Sequence, residues 1–166
     1  MNLKNLQIAI VSSATILLPV AARSQDLGIE VGSKAPAVSV QSLDGKDVLL
    51  ANYIGKTPVL MEFWATWCPN CRELMPTLLD AEKKYGKRVK FMMIAVAINQ
   101  SPEKVKRWLA AHPMPHDTFY DHEGKAAGAF DAPATSYVVV LDKSGKVVYT
   151  GLGGKQDLEA AIKKAL

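Results

Sequence analysis

Cys68 and Cys71, the only two cysteines of the chain, are the residues whose type and spacing most directly predict chemistry. They are separated by two residues, after an apolar run at 59–64 and at the start of a segment with helical periodicity. A thiol attacks a disulfide as its thiolate, and the first turn of a helix stabilises that anion through unpaired N–H groups and the helix dipole. The second thiol is close enough to attack a mixed disulfide formed by the first. The pair therefore predicts a site of dithiol–disulfide exchange.

The elements that must position this pair predict an α/β fold with one mixed sheet. Apolar runs at 59–64 and 89–98 are typical of strands buried on both faces. Shorter strands are predicted at 37–40, 47–50, 118–120, 137–141 and 147–150. Helices are predicted from Pro69 to Gly86 with a kink at Pro76, from Pro102 to His112, over 125–130 and from Asp157 to the end. This order favours a central sheet flanked by helices.

Residues 1–24 have the pattern of a secretory signal peptide, and the domain is predicted to span 25–166. Lys4 precedes an apolar core over 8–18, and small residues at Ala22 and Ser24 suit a cleavage site before Gln25. The alternative is an uncleaved membrane anchor, although the apolar stretch is shorter than the roughly 20 residues of a spanning helix. Export would place the cysteines in an oxidising compartment. A purely structural disulfide would close only a very small loop, so catalysis is the favoured interpretation.

The charge of the chain gives no reason to predict nucleic-acid binding. The whole sequence has 20 basic and 16 acidic residues, and removal of Lys4 and Arg23 with the leader leaves 18 basic residues against 16. The remaining charges of both signs are interspersed, as expected of solvated helix faces.

The residues around the cysteines resemble the thioredoxin superfamily, and most closely its exported TlpA/ResA/DsbE-type thiol-disulfide oxidoreductases. The resemblance is carried by the segment 63–72, by Pro76 five residues after Cys71, and by the segments 120–130 and 140–148. It covers roughly residues 33–166. It implies a thioredoxin fold with an N-terminal β-hairpin extension and a small insertion after the second core strand.

The resemblance also implies roles for individual residues. Cys68 would be the exposed nucleophile and Cys71 the buried resolving thiol, with the two forming a disulfide in the oxidised state. Trp67 would shield the pair, while Pro69 and Asn70 would tune its reduction potential.

Glu62 lies where thioredoxins carry a buried acidic residue that helps to deprotonate the resolving cysteine. A carboxylate in a buried apolar strand is costly while ionised and unpaired, so its pKa should rise toward the working pH. The alternative is a residue at the strand end that points to solvent.

The chain departs from the family pattern at two places. Many relatives carry a glutamate three residues after the second cysteine, where this chain has Leu74, and the neighbouring Glu73 is displaced by about 100° around a helix. The position of the family's cis-proline falls at Ser136, and a non-proline cis bond costs about 2.5–4 kcal/mol, so Ser136 is predicted to be trans. Ala134, Thr135 and Ser136 are expected to form the substrate-facing loop; the alternative is a displaced cis-proline at Pro133.

Other functions are compatible with parts of the pattern. Peroxiredoxin-like peroxide reduction would need a threonine three residues before the cysteine, whereas Thr66 is two before Cys68. A metallochaperone or binding module would use the dithiol as metal ligands. A zinc site with His112 and His116 is disfavoured by the 40-residue gap and the intervening prolines, and all three histidines are expected in loops or at the surface.

We therefore expect an exported thiol-disulfide oxidoreductase that reduces protein disulfides through Cys68 and Cys71 without a metal or organic cofactor. The resemblance favours a periplasmic location in a Gram-negative cell and a membrane thiol donor for recycling. A monomer is expected.

Overall fold

The fold is taken from a computed structural model that describes residues 28–114 and 116–166. The predicted signal peptide lies outside these residues. None of the helices in the described part of the chain has the length and apolarity required to cross a bilayer.

Seven strands and four α-helices follow one another in nearly the predicted order. The strands are β1 (Ser39–Ser42), β2 (Asp47–Leu49), β3 (Val59–Trp64), β4 (Lys90–Val96), β5 (Asp117–Asp121), β6 (Tyr137–Leu141) and β7 (Val147–Leu152). The helices are α1 (Pro69–Tyr85), α2 (Pro102–Ala111), α3 (Lys125–Ala129) and α4 (Leu158–Lys163), with a short 3₁₀ helix at Leu50–Asn52. The bounds of β3 and β6 agree with the sequence prediction, whereas β1 begins two residues later than predicted.

All seven strands belong to one mixed sheet with the order β2-β1-β5-β4-β3-β6-β7. The central strands β3, β4 and β5 are parallel, and the hairpins β1–β2 and β6–β7 add antiparallel pairs at the two sides. The segment formed by α2 and β5 follows the second core strand, β4, and inserts β5 between β4 and β1. The thioredoxin fold with an N-terminal hairpin and this insertion is therefore confirmed.

Helices cover both faces of β3, which explains why its six residues are all buried. Side chains alternate across a strand, so Glu62 and Trp64 share one face and Phe63 lies on the other. The ring centroids of Trp64 and of Trp108 on α2 are 4.9 Å apart. On the opposite face, the ring centroids of Phe63 and of Phe130 at the end of α3 are 5.7 Å apart. The carboxyl group of Glu62 therefore lies on the same face of β3 as Trp64, which packs against Trp108 of α2.

One of the three histidines, His116, lies in a loop but is buried. The side chain of His116 is only 1% exposed, and its Nδ1 lies 2.5 Å from Glu82 Oε2 on α1. Its Nε2 lies 3.1 Å from Met114 Sδ. His116 thus lies in the loop before β5, which agrees with the prediction of a loop or surface position, but its ring is buried because the chain after α2 passes against α1.

Candidate active site

The two cysteines lie at the point where the chain leaves β3 and enters α1. They are joined by a disulfide, with their Cα atoms 5.3 Å apart. Cys68 is the N-cap residue of α1, and its Sγ accepts a hydrogen bond of 3.0 Å from the backbone N–H of Cys71. Pro69 occupies the first helical turn, where its missing N–H costs nothing. A thiolate formed at Cys68 would therefore receive an N–H donor and the positive end of the helix dipole.

Both sulfur atoms are buried in this oxidised form. Cys68 is 2% exposed and Cys71 is 1% exposed, whereas Pro69 and Asn70 between them are exposed. The expectation of an exposed Cys68 is therefore wrong for the disulfide-bonded state. The disulfide and the hydrogen bond from Cys71 turn the Cys68 sulfur back onto the first turn of α1.

The two residues before Cys68 are held by the loop that follows β4. The indole N–H of Trp67 donates to the carbonyl of Ile98 at 2.8 Å, although the side chain remains 39% exposed. The backbone N–H of Thr66 donates to Oε1 of Gln100 at 2.9 Å. The amide of Gln100 in turn donates to the carbonyl of Val96 at 2.6 Å. Gln100 thus ties the segment before the cysteine to the end of the neighbouring strand.

Glu62 is buried in the middle of β3, as the apolar run predicts. The residue is 1% exposed, and none of the described residues donates a hydrogen bond to its Oε1. Burial away from water disfavours the carboxylate and raises the pKa of Glu62 from 4.5 to about 8. Glu62 can therefore exchange a proton near neutral pH, as the acid/base role requires. The alternative of a solvent-facing strand end is wrong.

The predicted substrate-facing loop leads directly into β6. Ser136 is fully buried and its backbone N–H donates to the carbonyl of Phe63 on β3 at 2.8 Å. Its carbonyl accepts from the N–H of Gly153, and its hydroxyl donates to the carbonyl of Gly153. Ser136 has a positive φ of 64°, and the described residues contain no cis peptide bond. The peptide bond before Pro133 is therefore trans, unlike that of the displaced cis-proline considered as the alternative.

The other departure from the family pattern, Leu74 in place of a glutamate three residues after the second cysteine, is explained by where the two side chains lie. Leu74 is fully buried on α1, whereas the side chain of Glu73 is about half exposed. A Cβ atom added to Gly154 would overlap the carboxylate of Glu73, so the loop after β7 passes close to that carboxylate. The one-residue offset thus directs Glu73 toward this loop, while Leu74 faces the core.

The described residues contain no cluster of three or more histidine, cysteine or acidic side chains that could hold a metal ion. The histidines do not approach the dithiol as a ligand pair, since Nδ1 of His112 contacts the carbonyl of Trp108 and His116 is engaged with Glu82.

Comparison with known proteins identifies the family. A family model described as Redoxin matches residues 30–166. The chain belongs to the Redoxin family. This redoxin is 32% identical over 143 residues to the thiol-disulfide oxidoreductase ResA of Bacillus cereus (strain ATCC 10987 / NRS 248), covering 85% of this chain and 82% of the relative. It is 29% identical over 143 residues to the thioredoxin-like protein YneN of Bacillus subtilis (strain 168), covering 83% of this chain and 82% of that protein.

Solved structures agree with the fold. A thiol:disulfide interchange protein of the thioredoxin family from Chlorobium tepidum TLS superposes with a TM-score of 0.66 at 26% identity, covering 82% of the redoxin and 97% of that chain. The thioredoxin domain of the thiol-disulfide oxidoreductase BVU-2223 from Bacteroides vulgatus superposes with a TM-score of 0.70 at 21% identity, covering 83% of the redoxin and 99% of that domain. At this identity the likeness supports the fold alone. With the buried Cys68–Cys71 pair, these relatives identify the redoxin as a thiol-disulfide oxidoreductase.

Sequence reasoning missed Gln100 and Ile98, which contact the segment before the first cysteine. Both follow the buried strand β4, which runs parallel to β3. The carboxyl ends of parallel strands meet at one edge of a sheet, where ligand sites collect. A search of the residues immediately after the predicted strand 89–98 would have found Gln100, whereas Ile98 was predicted to lie inside that strand, which ends at Val96.

Proposed function

We propose that the protein reduces disulfides of other proteins through Cys68 and Cys71. The observation that carries this proposal is the buried disulfide at the start of α1, with Cys68 as the N-cap residue. In the reduced protein, the Cys68 thiolate attacks one sulfur of the substrate disulfide and releases the other as a thiolate. Cys71, as a thiolate, then attacks Cys68 Sγ of the mixed disulfide. The second substrate thiolate leaves, and the protein retains the Cys68–Cys71 disulfide.

Glu62 accepts the proton of Cys71 during the second step. A pKa of about 8 lets this carboxyl group exchange a proton near neutral pH. Trp67 covers one side of the dithiol, while Pro69 and Asn70 set the geometry of the helix start. Ala134, Thr135 and Ser136 form the loop that faces the substrate backbone. No hydrogen bond links the backbone of Ala134 or Thr135 to another described residue, so both have groups left for a substrate strand.

We further propose that the protein acts outside the cytoplasm as a monomer, and that a membrane thiol donor reduces it after each turnover. The support is the leader-like sequence of residues 1–24 and the need for an electron source in an oxidising compartment. Expression of the full chain in a Gram-negative host tests the first part. We expect a periplasmic product whose intact mass is that of a polypeptide starting at Gln25. An uncleaved product in the cytoplasm would contradict export.

Insulin reduction by the reduced 25–166 protein tests the activity. Wild-type protein is expected to precipitate the insulin B chain in the presence of dithiothreitol, and Cys68→Ser is expected to be inactive. Activity that survives in Cys68→Ser contradicts the proposal. Peroxide-dependent turnover without insulin reduction would favour the peroxide reductase instead, and stoichiometric metal bound at the dithiol after purification would favour a metallochaperone.

A further inference from the structure

A group of cationic side chains lies at the edge of the sheet opposite the dithiol. They are carried by the loop before β3, the turn between α1 and β4 and the turn between β6 and β7. We call them the basic edge, and its members are Lys56, Lys87, Arg88 and Lys143. The sheet register brings the three turns together, because Val59 at the start of β3 pairs both with Lys90 of β4 and with Leu141 at the end of β6.

The basic edge surrounds an open depression of about 330 Å³. All four of its cations are exposed, and residues 57–58 and 165–166 form the rest of the wall. Leu166, the last residue of the sequence, contributes one carboxylate, so the four cations leave the wall with a net charge of +3. The side chain of Leu166 is 46% exposed and adds an aliphatic group among the cations.

The cations of the basic edge are not paired with acidic side chains of the described residues. The ion pairs in that part of the chain involve other cations and none of these four. The carboxylate of Asp142, beside Lys143, accepts hydrogen bonds from the backbone N–H groups of Ser144 and Lys146 within its own turn. The basic edge can therefore attract an anion from outside the molecule.

The arrangement suits an extended anionic surface better than a single small anion. Every cation of the basic edge is exposed and comes from a turn, so none is held in a buried pocket that would enclose one ligand. Clusters of four or more lysine and arginine side chains attract anionic lipid headgroups without directional bonds. An exposed leucine beside them suits the boundary between headgroups and acyl chains.

We propose that the basic edge docks the protein on a bilayer that contains anionic phospholipid. The six residues of β3 separate the basic edge from the segment that leads to Cys68, so the dithiol lies roughly 20 Å from the docked edge. Docking in this orientation holds the protein at the membrane and leaves the dithiol directed away from the lipid, open to partner proteins. The inference goes beyond the proposed function, since it does not depend on the direction of disulfide exchange.

Vesicle binding by the 25–166 protein tests this docking. This part of the chain contains every described strand and helix and lacks the apolar leader, which would bind lipid by itself. Vesicles of phosphatidylcholine with about one third phosphatidylglycerol provide the anionic surface, and pure phosphatidylcholine vesicles provide the neutral one. Co-sedimentation at about 0.1 M salt measures the partition coefficient, because charges beyond a Debye length of about 10 Å are then largely screened.

Two quadruple variants separate the basic edge from the net charge of the protein. The edge variant combines Lys56→Gln, Lys87→Gln, Arg88→Gln and Lys143→Gln. The matched control removes the same charge from exposed positions in the half of the molecule that carries the dithiol, and combines Lys104→Gln, Arg107→Gln, Lys125→Gln and Lys155→Gln. Lys87→Glu, a single charge reversal, gives the same readout with a smaller change to the protein. Urea unfolding shows that each variant is folded.

The wild-type protein is expected to bind the anionic vesicles but not the neutral ones, and to dissociate from them at about 0.5 M salt. A cation near an anionic bilayer contributes about fivefold to binding, so the edge variant should bind at least about 100-fold more weakly and Lys87→Glu about tenfold more weakly. The control variant should stay within about threefold of the wild type, because its substituted positions are distant from the docked edge.

Absence of binding to the anionic vesicles overturns the docking, as does an equal loss of binding in the edge and control variants. Displacement by glycerol phosphate beyond that by sodium chloride of equal ionic strength would assign the basic edge to a soluble phosphate and overturn the docking too. Retention on immobilised polyglutamate without vesicle binding would overturn it in favour of an acidic polypeptide. None of these outcomes alters the insulin test of the proposed function.

Discussion

Among single residues, Glu62 combines two properties that seldom occur together: it is a carboxyl group in the middle of a buried strand, and its Oε1 has no hydrogen-bond partner among the described residues. Its position follows from the sequence, because the residues around it in the 59–64 run are apolar. The buried state of Cys68 could not be predicted in the same way. It depends on where the sulfur turns once the disulfide and the Cys71 N–H bond have formed.

Glu62→Gln should change how stability depends on pH. The pKa of Glu62 rises from 4.5 to about 8 on folding, so between these values the folded protein binds more protons at this site than the unfolded chain. The free energy of unfolding should therefore fall as pH rises through this window, by up to about 1.4 kcal/mol per pH unit. Glutamine cannot ionise, so the variant should lose this contribution. Urea unfolding of both oxidised proteins from pH 5 to pH 9 measures the difference, and parallel curves would contradict it.

Glu62→Gln should also slow the second chemical step and leave the first one intact. Without the carboxylate, Cys71 loses its proton acceptor, and positioned general bases contribute about 10²–10⁴-fold to such steps. Stopped-flow measurements with a chromophoric disulfide separate attack by Cys68 from closure of the disulfide. Equal slowing of both steps would indicate a general structural effect and contradict the acid/base role.

At the scale of elements, the junction between the 132–135 loop and β6 depends on the backbone of Ser136. Ser136→Pro should lower the free energy of unfolding by about 3 kcal/mol or more, because proline cannot adopt a φ of 64° or donate to the Phe63 carbonyl. Ser136→Gly should stay within about 1 kcal/mol of the wild type, since glycine tolerates a positive φ and only the hydroxyl bond to Gly153 is lost. Urea unfolding compares the three proteins, and a stable Ser136→Pro variant would contradict this interpretation.

His116 joins two elements that are distant in sequence. Its contact with Glu82 links the start of β5 to α1, so His116→Ala should lower the free energy of unfolding by about 2 kcal/mol. His122→Ala is the control, because His122 is exposed and should change stability by less than about 0.5 kcal/mol. Chemical unfolding at pH 7 distinguishes the two, and equal small effects would show that the contact contributes little.

Element bounds were predictable where an apolar run determines them and less so elsewhere. The runs at 59–64 and 137–141 lie on strands buried on both faces, and their bounds agree with β3 and β6. The first strand of the N-terminal hairpin was predicted two residues too early because only one residue of β1, Val40, is buried, so its pattern is weak. The burial of His116 arises from a contact with a residue 34 positions away, which no local pattern contains.

At the scale of the whole molecule, the thioredoxin fold followed from the resemblance and the order of elements, but the full arrangement of strands did not. The sequence shows that α2 and β5 follow β4, whereas only the sheet register shows that β5 lies between β4 and β1. The same applies to the Gln100 contact with Thr66, because it brings together segments that are separate in sequence.

The division of labour between the two thiols is the central claim, and trapping the mixed disulfide tests it most directly. Reduced Cys71→Ser protein is mixed with oxidised insulin and analysed as intact protein by mass spectrometry without reductant. A covalent adduct of the variant with insulin, bonded through Cys68, is the predicted result, because no second thiol can release it. Reduced Cys68→Ser protein should form no such adduct. An adduct that accumulates in Cys68→Ser and is absent from Cys71→Ser would contradict the account.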